Sequence, residues 1–163
     1  DAAKLDAMVG TMESLARFST ISAPIMFALM TLIGAALVFA ACVIFQANLR
    51  FPDLYNVMAH VGLVTALQTL AHLIVLRNRG ADITMRELAP GFGLERFLAD
   101  DAARLLYGFV SFFSFFTVWH IVVLAFAIAA LAGIPKGKAF LVTAPSWMIG
   151  LLFALIGALF NRR

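Results

Sequence analysis

The chain has 163 residues, of which 63% are hydrophobic and 13% charged, and its formal net charge is +3. A soluble domain is typically about half apolar and about a quarter charged, so this composition excludes an ordinary water-soluble fold and predicts a lipid-embedded one. The basic surplus indicates loops that face anionic head groups rather than nucleic acid, since no run of Lys or Arg is interleaved with aromatic residues.

The N-terminal stretch, residues 1–17, is predicted to be a short amphipathic helix because its apolar residues recur at helical spacing. These apolar residues are Leu5, Met8, Met12, Leu15 and, just beyond the stretch, Phe18. Such a helix would either lie in the head-group layer or form the end of a longer soluble region. We expect no signal peptide, because no basic segment precedes a short apolar run with a cleavage site.

The first predicted span covers residues 21–45 and contains no charged residue. It exceeds the roughly 20 residues that are needed to cross the hydrocarbon layer. Pro24 falls in its first turn, where the missing N–H costs little. Small residues are frequent in this span, which favours close helix packing in lipid. The single cysteine, Cys42, lies here and is interpreted as a small packing residue.

The second predicted span covers residues 54–76 and is unusually polar for a helix in lipid. Its candidate site is a polar ridge at i+4 spacing, formed by Asn56, His60, Gln68 and His72. We expect this ridge to face protein or water. It is either a proton or ligand path, or a set of hydrogen bonds between helices, and we favour the second. His60 and His72 lie roughly 18 Å apart along a helix, so we predict no metal site.

Residues 77–114 are predicted to be an interfacial region with short helices, because they hold the longest polar stretch of the chain. From Leu105 to Gly133 no charge appears. This run is too long for one plain span and too short for two spans with a turn. We therefore expect a short interfacial or re-entrant piece at 105–113 and a span at 115–132.

The last predicted span covers residues 139–160. Pro145 is expected to kink it, and Thr143 and Ser146 are candidates to bond the carbonyls that the kink frees. The result is an all-α, polytopic membrane protein with four spans, or five if the 105–113 piece crosses fully. With four spans, nine Lys and Arg residues lie on the side of both termini and three on the other, which predicts cytoplasmic termini. A fifth span would move the C-terminus outside.

The segments 115–124 and 133–139 resemble the signature of the Ypt-interacting-protein (Yip-one) domain family in its bacterial form. In that family a Phe-x-x-Trp motif leads into a Leu-rich span, and a short basic turn ending in Gly-Lys-Ala leads into the last span. The matching residues are Phe116, Trp119, Lys136, Gly137 and Lys138. The sequence departs from the family pattern at Ala127, where the family often has Gly, and in the loop 78–95.

This resemblance implies a multi-pass membrane protein of a family that is not known for catalysis. Eukaryotic relatives bind Rab-type GTPases and assist vesicle traffic. Several bacterial relatives look like accessory proteins of ABC-type export systems. The resemblance therefore implies membrane-protein partners and a bacterial cytoplasmic membrane, and it carries over no catalytic residue and no cofactor.

An aromatic cluster lies at the start of the third span and is a second candidate site. It comprises Phe109, Phe112, Phe113, Phe115, Phe116 and Trp119. It is either packing and lipid contact or a docking surface for a membrane partner. The sequence contains no nucleophile motif or metal-ligand cluster, so we do not predict an enzyme.

Two functions therefore remain. The first is a non-enzymatic accessory or scaffold protein that assists an export system or membrane-protein assembly, with self-association as a further possibility. The second is a small transporter or channel-like protein that uses the polar ridge of the second span.

Overall fold

The computed structural model describes residues 2–79, 92–98 and 103–160, which are almost entirely helical. The helices are α1 (Ala2–Ile44), α2 (Phe51–Arg79), a 3-10 turn (Leu94–Phe97), α3 (Arg104–Phe112), α4 (Phe115–Ala132) and α5 (Lys136–Phe160). Four of them, α1, α2, α4 and α5, contain stretches that are long and apolar enough to cross a membrane. The predicted all-α, polytopic fold with four spans is thereby confirmed. Parts of the predicted interfacial region, residues 80–91 and 99–102, lie outside the described residues.

Helix α1 is one continuous helix of 43 residues, so residues 2–17 run directly into the first span. The sequence predicted a separate short helix there. No proline or turn sequence separates the two segments, and helix propagation through such a join adds one hydrogen bond per residue. Pro24 consequently lies inside the helix and not, as predicted, in its first turn. The head-group location of residues 2–17 stays a prediction.

Helices α1 and α2 are joined by a tight turn at residues 45–50, in which the Ala47 N–H donates to the Cys42 carbonyl over 2.8 Å. Gln46 has a positive φ of 53°, which reverses the chain direction. Pro52 and Asp53 lie in the first turn of α2. Proline tolerates that position, and an acidic side chain there favours the helix dipole.

The charge-free run 105–133 is divided into two helices at Phe113 and Ser114. Ser114 caps α4, since its hydroxyl accepts a hydrogen bond from the Thr117 N–H over 3.2 Å. Gly133 ends α4 in the left-handed conformation, with φ 62°. The predicted separate piece before the third span is therefore present as α3, although its depth in the membrane stays a prediction.

The four spanning helices form a ring in which α1 packs on α2, α2 on α4, α4 on α5, and α5 back on α1. The connections 45–50 and 133–135 lie at the same end of this bundle, here called the turn end. The opposite end, here called the loop end, carries the N-terminal part of α1, the 3-10 turn and α3. Helix α3 packs along the last turns of α5.

The turn end holds the tightest packing in the bundle. Its fully buried residues are mostly small or β-branched, namely Ala35, Val38, Ala41, Cys42, Leu54, Val61, Leu124, Ile128, Ala139 and Val142. Small side chains let helix backbones approach closely, and packing rather than water exclusion drives helix association in lipid. The outer surface is covered by large apolar side chains, of which Phe153 is 68% exposed.

Helix α5 contains Pro145 and continues through it. The hydroxyl of Thr143 donates to the Phe140 carbonyl over 2.9 Å, and that of Ser146 donates to the Thr143 carbonyl over 2.8 Å. Neither reaches Leu141, whose carbonyl is the one that loses its i+4 donor at Pro145. The predicted rescue of the freed carbonyl is thus wrong in detail, because each hydroxyl bonds three residues back along its own helix.

Candidate functional site

A cavity of about 390 Å³ lies inside the bundle, between the packed turn end and the loop end. All five α-helices contribute to its wall. The lining positions on α1, α2, α4 and α5 lie roughly 10–26 Å along their helices from the turn end, at about 1.5 Å per residue. The cavity therefore lies along the middle part of the candidate membrane spans.

The cavity wall contains both polar and apolar side chains. Its polar residues are Thr31, Thr65, Gln68, Thr117, His120, Ser146 and Trp147. Its larger apolar residues are Phe27, Met30, Met58, Phe112, Phe116, Ile121 and Leu124. Polar residues that face the interior of a membrane bundle are costly, and they mark candidate sites for that reason.

Several hydroxyls of the wall are already occupied by local hydrogen bonds. The Thr31 hydroxyl donates to the Phe27 carbonyl over 2.8 Å. The Thr117 hydroxyl lies 2.9 Å from that of Ser114, and Ser146 donates to the turn before it. These groups retain lone pairs toward the cavity, but most of their donor protons are used.

Four other polar side chains of the wall, those of Thr65, Gln68, His120 and Trp147, have no such partner among the described residues. The Trp147 Nε1 atom is also fully buried. Thr65 and Gln68 come from α2, His120 from α4 and Trp147 from α5, so the cavity collects unpaired polar groups from three helices.

Aromatic rings fill the spaces that two glycines leave in the wall. A Cβ atom on Gly62 would lie 2.6 Å from Cζ of Phe27, and one on Gly150 would lie 3.1 Å from Cε2 of Phe112. Each ring therefore rests directly on the backbone of a neighbouring helix. The rings keep the helices together beside a cavity that side chains do not fill.

The residues of the predicted polar ridge on α2 face different environments. Asn56 and His60 line a separate groove between α2 and α4, and the His60 Nδ1 atom lies 2.7 Å from the Asn56 carbonyl oxygen. Gln68 lines the central cavity, and the His72 ring lies 6.4 Å from that of Phe92. At 3.6 residues per turn, each i+4 step turns by about 40°, so the ridge winds round the helix over its length.

The aromatic cluster is likewise divided. Phe112 and Phe116 point inward to the cavity, whereas Phe109, Phe115 and Trp119 are 46%, 65% and 38% exposed. The rings of Phe115 and Trp119 lie 5.9 Å apart, and each also contacts Phe116. Phe115 and Trp119, here called the aromatic face, lie together at the start of α4, and Phe109 lies before the break, on α3.

The residues that carry the family resemblance lie at the two ends of α4. At its start, Phe116 and Trp119 have rings 6.3 Å apart. Beyond its end, Lys136 begins α5, and its Nζ atom lies 4.5 Å from the centre of the Phe126 ring. Gly137 is exposed and Lys138 half-buried, and Ala139 behind them is fully buried.

Glu95 is a buried acidic residue, whereas the amphipathic pattern of residues 94–107 predicts that it faces water. Its side chain is 5% exposed, and Oε1 accepts a hydrogen bond from the Gly93 N–H over 3.0 Å. Oε2 has no partner among the described residues. Because the Phe115 N–H donates to the Phe92 carbonyl, this segment is attached to the start of α4, where a negative charge suits the helix dipole.

The sequence analysis did not combine the cavity residues, since they are far apart in the chain. The available signal was the presence of polar residues within spans that are otherwise apolar, such as Thr117 with His120 on α4 and Ser146 with Trp147 on α5. Across the described residues, no group of three or more His, Cys, Asp and Glu side chains could hold a metal ion. What the cavity offers is neutral hydrogen bonding next to apolar wall.

The comparisons with known proteins give one result. The family model described as Yip1 domain matches residues 3–158. Among curated proteins and among solved structures, no significant match was found. A match over nearly the whole length, together with four apolar helices in a single bundle, establishes that the chain belongs to the Yip1 domain family.

Proposed function

We propose that this protein is a non-enzymatic membrane accessory or scaffold protein that binds other membrane proteins and assists an export system or their assembly. Yip1-domain proteins are membrane proteins that are not known as enzymes. The observation that carries the proposal is the aromatic face. Subunits of an ABC-type transporter are the expected partners, and a second copy of the chain is the alternative occupant.

The aromatic face has the properties of a binding surface. Large aromatic side chains are enriched among the residues that dominate interface energies. Phe115 and Trp119 are fixed by contacts with Phe116, so that little side-chain entropy is lost when a partner covers them. In lipid, such a rigid surface gains packing contacts from a protein partner that fluid acyl chains do not supply.

The test is purification of the tagged protein from its native membrane in mild detergent, followed by mass spectrometry of the proteins that accompany it. We expect the double change Phe115→Ala with Trp119→Ala to reduce recovery of partners by about ten-fold, as for loss of an interface hot spot. Phe153→Ala is the matched control, since Phe153 is 68% exposed on the last span. An equal loss from Phe153→Ala, or no loss from the double change, would contradict this assignment.

The proposed location is a bacterial cytoplasmic membrane with both termini in the cytoplasm, as the distribution of Lys and Arg predicts. Single cysteines introduced in a Cys42→Ala background test this orientation with a membrane-impermeant maleimide. Asn48→Cys should be labelled from outside intact cells, and Phe97→Cys only after the membrane is opened. Both positions are exposed in the structure. The reverse labelling pattern would overturn the orientation.

The alternative function, a small transporter or channel, is favoured by the central cavity. A path through it would use Gln68 together with His120, and not the whole ridge on α2. Proton flux into liposomes that contain the purified protein, reported by a pH-sensitive dye, tests this alternative. Flux that the double change Gln68→Leu with His120→Leu abolishes would favour a transporter, and flux equal to that of protein-free liposomes would oppose it.

A further inference from the structure

We propose that the central cavity is a binding site for an uncharged amphiphile from the membrane whose polar end carries a carbonyl or ester oxygen. The proposal goes beyond the scaffold function and does not depend on it. It is based on the unpaired polar side chains that three helices contribute to one cavity between the candidate spans, chiefly Gln68, His120 and Trp147.

The first argument is hydrogen bonding. A buried polar group without a partner costs free energy, and in lipid no water replaces the missing partner. Natural folds therefore rarely leave such groups unpaired without a ligand, an ion or ordered water. Here the Trp147 Nε1 atom is buried and unpaired, and the unpaired side chains of Gln68 and His120 line the same cavity from two other helices, an arrangement that one bound molecule would satisfy.

The second argument concerns the kind of polar atom that is needed. The indole N–H of Trp147 can only donate a hydrogen bond, and because its Nε1 atom is fully buried, a ligand that pairs with it has to displace part of the wall and present an acceptor. The Gln68 amide and the His120 imidazole can each donate or accept, and the hydroxyls of Thr117 and Ser146 offer lone pairs. A carbonyl or ester oxygen next to a hydroxyl fits this set.

The third argument is charge. The cavity wall contains no Asp, Glu, Lys or Arg among the residues that the structure places there. Binding an ion inside the bundle without a counter-charge carries a large desolvation cost. The lining therefore favours a neutral molecule over a fatty acid anion or an ammonium head group.

The fourth argument is size and shape. The volume of about 390 Å³ falls in the range of small-molecule sites. The apolar part of the wall, with Phe27, Phe112 and Phe116, receives the start of an acyl chain.

The experiment uses the full chain in a Trp119→Phe background, which leaves Trp147 as the single tryptophan. Its fluorescence is measured in detergent micelles while dibromostearoyl glycerol, a neutral quencher, is added. We expect saturable quenching that the unbrominated lipid relieves, with the dibromostearate anion at least about ten-fold weaker. Quenching that rises linearly with either lipid, without saturation, would overturn the proposal.

Variants locate the site. Gln68→Leu and His120→Leu should each weaken binding by about ten-fold, the effect of one lost hydrogen bond to a buried ligand. His60→Leu is the matched control, since His60 lies in a separate groove of the same bundle, and it should leave binding unchanged. Equal weakening by all three changes, or by none, would contradict the cavity assignment.

A second measurement needs no cavity variant. A monoacylglycerol with a photoreactive diazirine in its chain is crosslinked to the protein in liposomes, and the labelled peptides are identified. Labelling near Phe116 and near Gly150 that excess monoolein prevents would support the site. Labelling confined to the outer surface, for example around Phe153, would indicate that the cavity holds only water and would overturn the proposal.

Discussion

The two ends of the bundle are built from the same helices and differ in almost every other respect. At the turn end, Ala35, Val38, Ile128 and Val142 are fully buried in the core, beside a groove between α2 and α4. At the loop end, the same helices carry larger and more polar residues, and they enclose a cavity with unpaired hydrogen-bonding groups. The difference follows from side-chain size, because small residues allow the close approach on which packing in lipid depends.

This contrast indicates a division of roles. The turn end holds the four helices in one arrangement, and the loop end is free to accept a ligand or a partner. Proteins commonly show such a division. A functional site keeps polar or loosely packed side chains that selection for stability alone would replace by better-packed ones. Paired substitutions at the two ends test the division directly.

The largest effect is expected from shortening a core side chain at the turn end. Leu54→Ala should lower the free energy of unfolding by about 2–4 kcal/mol, because the cavity it leaves loses packing contacts on all sides. Ile121→Ala is the paired change at the loop end. It should cost less than half as much, since Ile121 already borders open space.

Unfolding of the purified proteins by sodium dodecyl sulfate, followed by circular dichroism, measures both values. Equal losses for the two variants would show that the loop end is as tightly packed as the turn end. That result would remove the basis of the comparison.

The second-largest effect on the free energy of unfolding is expected where α3 packs against α5. A Cβ on Gly108 would lie 2.6 Å from the Ala158 Cβ and 3.2 Å from the Ala154 carbonyl oxygen. Gly108→Ala should therefore cost about 1–3 kcal/mol by overpacking. Gly157→Ala, where a Cβ meets no atom within 4 Å, is the control and should stabilise slightly, by about 0.5–1 kcal/mol. Thermal unfolding midpoints measure both changes, and a destabilising Gly157→Ala would argue against this packing.

The smallest effect is expected from the cavity itself. His120→Leu replaces an unpaired polar group by an apolar one and should raise the free energy of unfolding by about 1 kcal/mol when no ligand is bound. His60→Leu should change it by less than about 0.5 kcal/mol, since His60 is exposed and bonds only its own helix. Destabilisation by His120→Leu in lipid-free detergent would mean that the imidazole already has a partner.

The sequence predicted the features that depend on local composition. The spans follow from hydropathy, and the division of residues 105–133 follows from the length of the charge-free run. The start of α2 at Pro52 and Asp53 is likewise a local signal. These features need no knowledge of how the helices pack.

The sequence could not predict features that depend on neighbouring helices. The ridge on α2 was recognised, but its separation into a groove with Asn56 and His60 and a cavity with Gln68 depends on where α4 and α5 lie. His120 and Trp147 were not combined with Gln68, because 52 positions separate Gln68 from His120 and 27 separate His120 from Trp147. For the same reason, the sequence could not show that Phe112 and Phe116 are the members of the aromatic cluster that line the cavity.

The uninterrupted length of α1 has a mechanical consequence. A helix of 43 residues extends about 65 Å, roughly twice the thickness of the hydrocarbon layer. The segment before the span at Arg17–Ile44 continues the same helix and therefore forms an arm attached to that span. Tilting the whole helix by about 10° would move the end of a roughly 22 Å arm by about 4 Å. A force on that arm would pass Pro24, where the helix lacks one backbone hydrogen bond, before it reached Phe27 and Thr31.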